Sequence, residues 1–180
     1  MKADAISLRD ARPDDLAAIT TIYADSVLTG TASYELQPPD EAEMVRRWRA
    51  LADAGFPYLV AETDGRVLGY AYAGPFRTRP AYRWFVEDTV YVAREAWRRG
   101  IGRALLARVI AICEEKGFRQ MVAVIGDGER QAGSIRVHAA LGFRTVGTLE
   151  GSGFKFGRWL DTVLMQRPLG PGRTTLPEGD

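Results

Sequence analysis

Arginine and glycine are concentrated in one short turn near the middle of the chain, between two apolar stretches. Positions 98–103 read "RRGIGR", after the β-branched run "VYV" and before a long stretch with helical apolar periodicity. The first N–H groups of a helix have no intrahelical partners, and the helix dipole adds about half a positive charge at that end. The two glycines let the backbone approach a ligand closely, and the three arginines supply full charge. The turn therefore has the chemistry of a pyrophosphate-binding site.

Two other phosphate-binding patterns do not fit this turn. It has no Lys-Ser/Thr pair, which a Walker loop needs to bind metal-bound ATP. It also lacks the third glycine and the following acidic residue that define a dinucleotide-binding turn. A plain glycine turn with solvated arginines is the alternative interpretation that the pattern leaves open.

The elements that must position this turn follow from periodicity and from helix and turn signals. A strand is predicted at "AISLRD", and a second helix begins at Asp40, an N-cap with Glu43 three residues later. Asp64 and Gly65 form the dipeptide that a tight hairpin turn prefers. The strand "YRWFVEDTVYVA" is apolar on both faces and is predicted to be central. The first helix presents one apolar face, formed by Leu16, Ile19, Ile22, Tyr23, Ser26 and Val27.

The complete order of elements predicts an α/β domain with a mixed sheet. A strand and two helices are followed by three strands, a helix, a strand, a short helix at "GSIRVHAALG" and two final strands. We expect a single domain over residues 1–168. The remaining residues, 169–180, are rich in Gly, Pro and Thr and are predicted to be a disordered tail.

Composition excludes several functional classes. The 180 residues are 46% hydrophobic and 26% charged, and the formal net charge is only +1, so no global field favours nucleic acid or an acidic membrane. No apolar run is long enough for a signal-peptide core or a membrane span. Cys113, the single cysteine, cannot form an internal disulfide and is predicted to be buried on a helix face. We expect a cytoplasmic protein.

Several segments together resemble the GNAT superfamily of acetyl-CoA-dependent N-acetyltransferases. "RRGIGRALL" is similar to its Arg/Gln-x-x-Gly-x-Gly/Ala pyrophosphate motif, "VYV" to the splayed strand before that motif, and "HAALGF" to a later helix–strand junction. The segments "YAYAGPFRTRPAYRWFVEDTVYV", "VAVIGDGE" and "GFKFGRWLDTVLMQ" resemble the phosphinothricin and methionine-sulfoximine acetyltransferase group. The resemblance extends from about Ile6 to Pro168, which is essentially the whole predicted domain.

The resemblance implies a GNAT fold, with a mostly antiparallel mixed sheet flanked by helices. It also implies acetyl-CoA as cosubstrate, no metal, a small amino acid analogue as the acetyl acceptor, and a homodimer whose partner forms part of the pocket rim. Relatives usually carry Asn where this chain has Gln131, whose amide has the same donor and acceptor one methylene further out. The coenzyme-binding residues that it implies are Val90, Tyr91, Val92, Arg98, Arg99, Gly100, Ile101, Gly102, Arg103, Gln131 and Ser134.

Two residues are candidates for proton transfer in such a reaction. An α-amine is mostly ammonium at neutral pH, so a base must remove a proton before the nitrogen attacks the thioester. Glu87 stands among apolar strand residues that should raise its pKa, whereas Asp88 faces the other side; an ion pair of Glu87 with an arginine is the alternative. His138, the only histidine, lies four residues before Gly142, where many relatives have a tyrosine regarded as the general acid. A packed core histidine is the alternative interpretation.

Substrate capture is predicted to come from loop residues. Arg77, Arg79 and Tyr82 follow a Gly-Pro turn, where they are placed to bind a carboxylate or an oxyanionic side chain. A solvated basic loop is the alternative. The resemblance implies three further residues near the active site: Tyr34, Glu35 and Lys155.

Two other functions stay open at this point. A protein N-terminus or a lysine side chain as acceptor would keep the chemistry but would need an open groove, whereas the loops just described indicate a closed pocket. A regulatory module that only binds acetyl-CoA would have no use for a catalytic carboxylate. Glu87 and His138 therefore favour an enzyme.

Overall fold

Strands and helices follow one another in the order that the sequence predicts. A computed structural model describes residues 6–128 and 130–177 of the chain. The elements are β1 (Ser7–Asp10), α1 (Leu16–Thr29), α2 (Glu41–Asp53), β2 (Tyr58–Thr63), β3 (Arg66–Pro75), β4 (Phe85–Val92), α3 (Ile101–Glu115), β5 (Gln120–Gly126), α4 (Ala132–Ala140), β6 (Arg144–Lys155) and β7 (Arg158–Pro168).

Seven strands form one sheet in the order β1-β2-β3-β4-β5-β7-β6. Every neighbouring pair is antiparallel except β4 and β5, which run parallel. The predicted α/β class with a mixed, mostly antiparallel sheet is confirmed. β4 occupies the centre of the sheet, as its apolar residues on both faces predict.

Helices cover both faces of the sheet. α3 buries Leu105, Val109 and Cys113 against one face, so the predicted burial of the single cysteine is confirmed. On the other face, Leu16 and Ile19 of α1 pack with buried tyrosines of β2 and β3. No helix in the described ranges has both the length and the apolar character that a bilayer span requires.

Local signals set the ends of several elements. The Oδ1 atom of Asp40 accepts a hydrogen bond from the backbone N–H of Glu43 at 2.8 Å, which caps α2 as predicted. Asp64 and Gly65 have φ angles of 50° and 75°, the left-handed pair that joins two strands in a tight hairpin. Gly100, with a φ of 79°, precedes α3 in a conformation that other residues rarely adopt.

β4 and β5 part after a short region of pairing. Their parallel register covers three residue pairs, and the last pair joins Glu87 to Val122. Beyond this point, here called the fork, β4 continues beside β3 to Val92 and β5 continues beside β7 to Gly126. Among the described residues, the facing edges of the two strands therefore carry main-chain N–H and C=O groups without a cross-strand partner.

The chain after β7 differs from the disordered tail that composition predicts over residues 169–180. Leu169 is fully buried in the core, and Arg119 donates to the carbonyl oxygens of Gly172 and Leu176 at 3.2 and 2.8 Å. Burial of Leu169 and the two hydrogen bonds from Arg119 thus hold this segment against the domain, although its composition is typical of a loop. The structure describes it as far as Pro177. Residues 178–180 lie outside the described residues.

Candidate active site

A cavity of about 240 Å³ opens beyond the fork. Residues 87–91 of β4 form one wall, and residues 123–126 of β5 form the other. Side chains from both faces of the sheet close it, with Tyr72 on the side of α1 and His138 on the side of α4. Both residues that the sequence predicts for proton transfer therefore line the same cavity.

Glu87 is a carboxylate that meets no counter-ion among the described residues of this cavity. It forms no hydrogen bond or ion pair with any described residue, so the predicted alternative, a pair with an arginine, is not observed there. Burial, with a smaller contribution from the charge of Asp88, raises the pKa of Glu87 to about 6. Such a group is ionised at neutral pH and is still basic enough to accept a proton.

His138 and Asp88 form a buried pair on the opposite face of β4. Their side chains are 3% and 2% exposed, and His138 Nε2 lies 3.0 Å from Asp88 Oδ2. The other ring nitrogen, Nδ1, lies 2.8 Å from the carbonyl oxygen of Ser134. Burial alone would lower the pKa of His138, but the hydrogen bond and charge of Asp88, with the Ser134 carbonyl, raise it above its ordinary value.

The pairing of both ring nitrogens bears on the predicted general-acid role of His138. Two acceptors around one ring fit an imidazolium that donates both of its protons. A transfer of either proton to a ligand would first break one of these bonds. The geometry therefore favours the alternative interpretation, a buried histidine held by protein partners.

The arginine and glycine turn lies at the start of α3, outside the cavity lining. Its three arginines are exposed, whereas Ile101 is buried in the core, so only the backbone of this residue is available to a ligand. An added Cβ at Gly102 would lie 3.5 Å from the nearest atom, in the side chain of Val92. Packing therefore does not require glycine at this position, whereas a ligand in close contact with the backbone would.

Of the other residues predicted to bind the coenzyme, all except Val92 line the cavity. Val92 packs against the start of α3, beyond the cavity. Gln131 precedes α4 and does not cap it with its side chain. The residues of this set that line the cavity are Val90, Tyr91, Gln131 and Ser134.

Three residues predicted to bind the substrate instead hold the loop between α1 and α2. The Tyr34 hydroxyl lies 2.8 Å from Thr162 Oγ1. Glu35 accepts from Arg47 at 2.6 Å, and Lys155, which is 3% exposed, donates to a carbonyl oxygen of the loop at 2.8 Å. None of the three is among the described residues that line the cavity, and their contacts support the loop; a role in substrate binding stays a prediction.

The basic loop before β4 also lies outside the cavity lining. Arg77 and Arg79 are exposed, and the Arg77 guanidinium stacks on the ring of Phe76 at 5.1 Å. Tyr82 packs edge-on against the same ring at 5.6 Å. In a single chain, these arginines thus match the alternative interpretation, a solvated basic loop.

This arrangement has counterparts among known proteins. The family model for an acetyltransferase (GNAT) domain matches residues 8–164 of the chain. The chain belongs to the GNAT acetyltransferase family. A phosphinothricin N-acetyltransferase from Alcaligenes faecalis is 56% identical to this acetyltransferase over 174 residues, which cover 97% of this chain and 88% of that protein.

Two further relatives agree in sequence and in structure. An L-methionine sulfoximine/L-methionine sulfone acetyltransferase from Pseudomonas paraeruginosa is 41% identical and covers 93% of this chain and 97% of its own. A crystal structure of a GNAT superfamily phosphinothricin acetyltransferase from Sinorhizobium meliloti, in complex with AcCoA, has a TM-score of 0.93 and 52% identity, covering 97% of this chain and 94% of its own.

The polar wall next to Glu87 was not predicted from the sequence of this acetyltransferase. Tyr23, Tyr72 and Thr89 line the cavity, whereas the sequence predicts only a place for Tyr23 on the apolar face of the first helix. Strand alternation places Thr89 on the face of Glu87, and the β3–β4 register pairs Tyr72 with Thr89. Within the described ranges, no group of three or more His, Cys, Asp or Glu side chains could hold a metal ion.

Substitution of Gly126 tests the support that Tyr34 gives to this site. An added Cβ would lie 2.6 Å from Tyr34 Cε1 and 2.9 Å from the carbonyl oxygen of Thr31, so the loop between α1 and α2 must move. We expect Gly126→Ala to lower the free energy of unfolding by about 1–3 kcal/mol, measured by urea denaturation. Gly133→Ala is the matched control: nothing lies within 4 Å of its Cβ, and alanine favours a helix, so stability should be equal or higher. A Gly126→Ala variant as stable as the wild type would contradict this account.

Proposed function

We propose that this acetyltransferase transfers the acetyl group of acetyl-CoA to the amine of a small amino acid analogue, of the phosphinothricin, methionine sulfoximine or methionine sulfone type. The amine attacks directly, with Glu87 as general base. The observation that carries the proposal is the position of this carboxylate: it lines the cavity at the fork without a counter-ion among the described residues. The similarity to relatives with those names supports the substrate class. A cytoplasmic location is part of the proposal.

The residues present fit acetyl-CoA, which when bound supplies the thioester as acetyl donor. Three exposed arginines and the Cβ-free backbone at Gly102 suit a pyrophosphate at positions 98–103. The open edge of β4 beyond Glu87 offers main-chain donors and acceptors to the amide groups of pantetheine, in the way that one strand pairs with another. Gln131 and Ser134 approach the same opening from α4.

Glu87 removes a proton from the substrate ammonium in this proposal. Its raised pKa, about 6, leaves it ionised at neutral pH, and its desolvated site strengthens the attraction for a cation. Tyr72 and Thr89 line the same cavity as the base and offer hydroxyl groups that can hold the amine in position, while the hydroxyl of Tyr23, also in the lining, is bonded to Ser33 and Glu35. The nitrogen is then uncharged and directed toward the open edges of β4 and β5.

The anionic groups of an amino acid analogue require a cation from outside the cavity lining. Neither lysine nor arginine is among the described residues that line it. A carboxylate placed in such a cavity without a charged partner would be costly. We therefore assign this part of substrate binding to Arg77 and Arg79 in the loop before β4, or to a residue of a second copy of the chain.

A homodimer is also part of the proposal. The hairpin of β6 and β7 forms an edge of the sheet and exposes Phe154, Phe156 and Trp159 by 56%, 59% and 70%. Clustered aromatic side chains at one edge mark an interaction surface. A two-fold interface would cover the same surface on both copies.

Release of free thiol from acetyl-CoA tests the reaction and the role of Glu87 together. We expect turnover with phosphinothricin, methionine sulfoximine or methionine sulfone. Glu87→Gln keeps the shape of the side chain but cannot accept a proton, so turnover should fall by about 10²–10⁴ while acetyl-CoA affinity is nearly unchanged. The loss should shrink at alkaline pH, and only the wild type should gain activity as the pH rises through about 6. Turnover of peptide amines alone would support a protein acetyltransferase, and binding without any turnover a regulatory module.

Glu87→Gln, which should lower turnover, should leave the stability of the fold unchanged or raise it. The pKa of Glu87 rises from 4.5 to about 6 on folding, so the folded chain holds this proton more tightly and loses stability as the pH rises between these values. Glu87→Gln removes that loss, and its melting temperature at pH 7 should equal or exceed that of the wild type. A variant that melts early yet works at the normal rate would remove Glu87 from the mechanism.

Calorimetry with acetyl-CoA tests the proposed pyrophosphate site. Gly102→Asp places a negative charge at the proposed anion position and should abolish binding. The variant should still fold, because the position has room for a Cβ and an acidic residue suits the first turn of a helix. Arg99→Ala should weaken binding by about 1–3 kcal/mol. Gly102→Ala is the uncharged control for folding. Wild-type affinity in a folded Gly102→Asp variant would exclude this site.

Sedimentation equilibrium at micromolar concentration tests the homodimer. We expect the wild type to be dimeric and Trp159→Asp to be monomeric, because a buried carboxylate would oppose association through the hairpin. Leu176→Asp, at a position that is 89% exposed and outside the hairpin, is the control and should remain dimeric. A wild type that is only monomeric would contradict the prediction.

A further inference from the structure

The buried Asp88–His138 pair lies next to the fork. Glu87 and Val122 are the last paired residues of β4 and β5, so Asp88 is the first residue of β4 beyond the fork. Its side chain points to the face that α3 and α4 cover, where His138 of α4 meets it. The pair thus connects α4 to β4 at the inner end of the cavity.

This pair is a buried polar anchor of α4. His138 is the only fully buried residue of this helix, while Ile135 and Val137 are half-buried and pack against the core. The residues at its start, Gln131 and Ser134, line the cavity. Their position therefore depends in part on a polar contact made by His138 further along the helix.

The hydrogen bonds indicate the charge state of the pair. A neutral imidazole has one N–H, so a neutral ring would direct a lone pair at the Asp88 carboxylate or at the Ser134 carbonyl oxygen; the Ser134 hydroxyl, at 3.4 Å from Nδ1, is the one described group that could donate to it, and only over a long distance. An imidazolium satisfies both acceptors and neutralises the carboxylate. Two further titratable groups lie near Asp88: its charge contributes to the raised pKa of Glu87 on the same strand and to that of Cys113 on α3.

Among the described residues, Asp88 has no second partner that would replace His138. Its other oxygen, Oδ1, is buried without a hydrogen-bond partner among the described residues. The imidazolium alone therefore compensates for burial of this carboxylate. Such an arrangement holds the histidine firmly and disfavours transfer of its proton to a ligand.

We propose that Asp88 and His138 are positioning residues, which fix the α4 wall of the cavity for acetyl-CoA, and that His138 is not the proton donor. This inference rests on the proposed function, since it assigns a role in coenzyme binding. It separates two tasks on one strand: Glu87 handles the substrate proton on one face, and Asp88 holds the coenzyme wall on the other.

Two substitutions of Asp88 distinguish positioning from acid catalysis. Asp88→Ala removes the anchor, and we expect acetyl-CoA affinity by calorimetry to fall about tenfold, with a much smaller change in kcat at saturating coenzyme. Asp88→Asn keeps a hydrogen bond to a neutral imidazole and should restore affinity and leave kcat close to the wild type. If the imidazolium were the acid, Asp88→Asn would lower kcat by about 10²–10⁴ with unchanged affinity, and that result would overturn the proposal.

Nitrogen NMR of the single histidine tests the charge state without any assay of activity. At pH 7, we expect both ring nitrogens of His138 to carry protons in the wild type and only one in Asp88→Asn. A neutral wild-type ring that titrates in the ordinary histidine range would contradict the inference. The signal needs no assignment by mutation because the chain has no other histidine.

A matched control separates local from global effects. Asp15→Asn weakens another buried carboxylate pair, with Arg9 at 2.7 Å, which lies outside the cavity lining. It should lower stability without changing acetyl-CoA affinity. A wild type that does not bind acetyl-CoA would overturn the proposed function, and the NMR result on the pair would still stand. Wild-type affinity in a folded Asp88→Ala variant would overturn only the positioning role.

Discussion

Unpaired main-chain groups along the facing edges of β4 and β5 are the constraint on which the rest of the site depends. Folded chains rarely leave backbone N–H and C=O groups inside without partners. Here the two central strands separate after Glu87 and Val122, while each keeps its other neighbour, β3 or β7. Because the outer pairings hold both strands, the gap between them cannot close. The carbonyl oxygen of Val92 accepts from Trp97 Nε1 at 2.8 Å, and the remaining polar groups of these edges can be satisfied by water or by a ligand with amide groups of its own.

The two adjacent acidic residues at this gap have different surroundings because a strand directs successive side chains to opposite faces of the sheet. Glu87 faces the tyrosine-rich side and meets no cation among the described residues, whereas Asp88 faces α4 and meets His138. The charge of Asp88 still contributes to the raised pKa of Glu87. An imidazolium next to Asp88 limits that contribution, because a neutral pair repels a neighbouring carboxylate much less than a lone charge does. The histidine on one face thus affects the base on the other.

Local sequence signals predicted the elements well, because those signals act over a few residues. The Asp40 cap, the Asp64-Gly65 turn and the doubly apolar β4 each specify their own geometry. Contacts between distant segments were not predictable in this way. Tyr34 bonds to Thr162, 128 positions later, and no pattern near either residue indicates this partner. The same holds for the buried histidine, whose sequence context fits a ligand-facing acid and a paired core residue equally well.

The hairpin of β6 and β7 connects the exposed aromatic surface to the cavity. Phe154 points outward, whereas Lys155, the next residue, is buried and donates to the carbonyl oxygen of Ser33. Burial lowers the pKa of Lys155. The loop that Lys155 holds also contains Ala32, which lines the cavity. Any partner that fixes the outer face of the hairpin therefore also fixes the inner face, and with it one side of the cavity. A residue that the sequence predicts near the substrate thus contacts a loop of the cavity wall, and not the cavity itself.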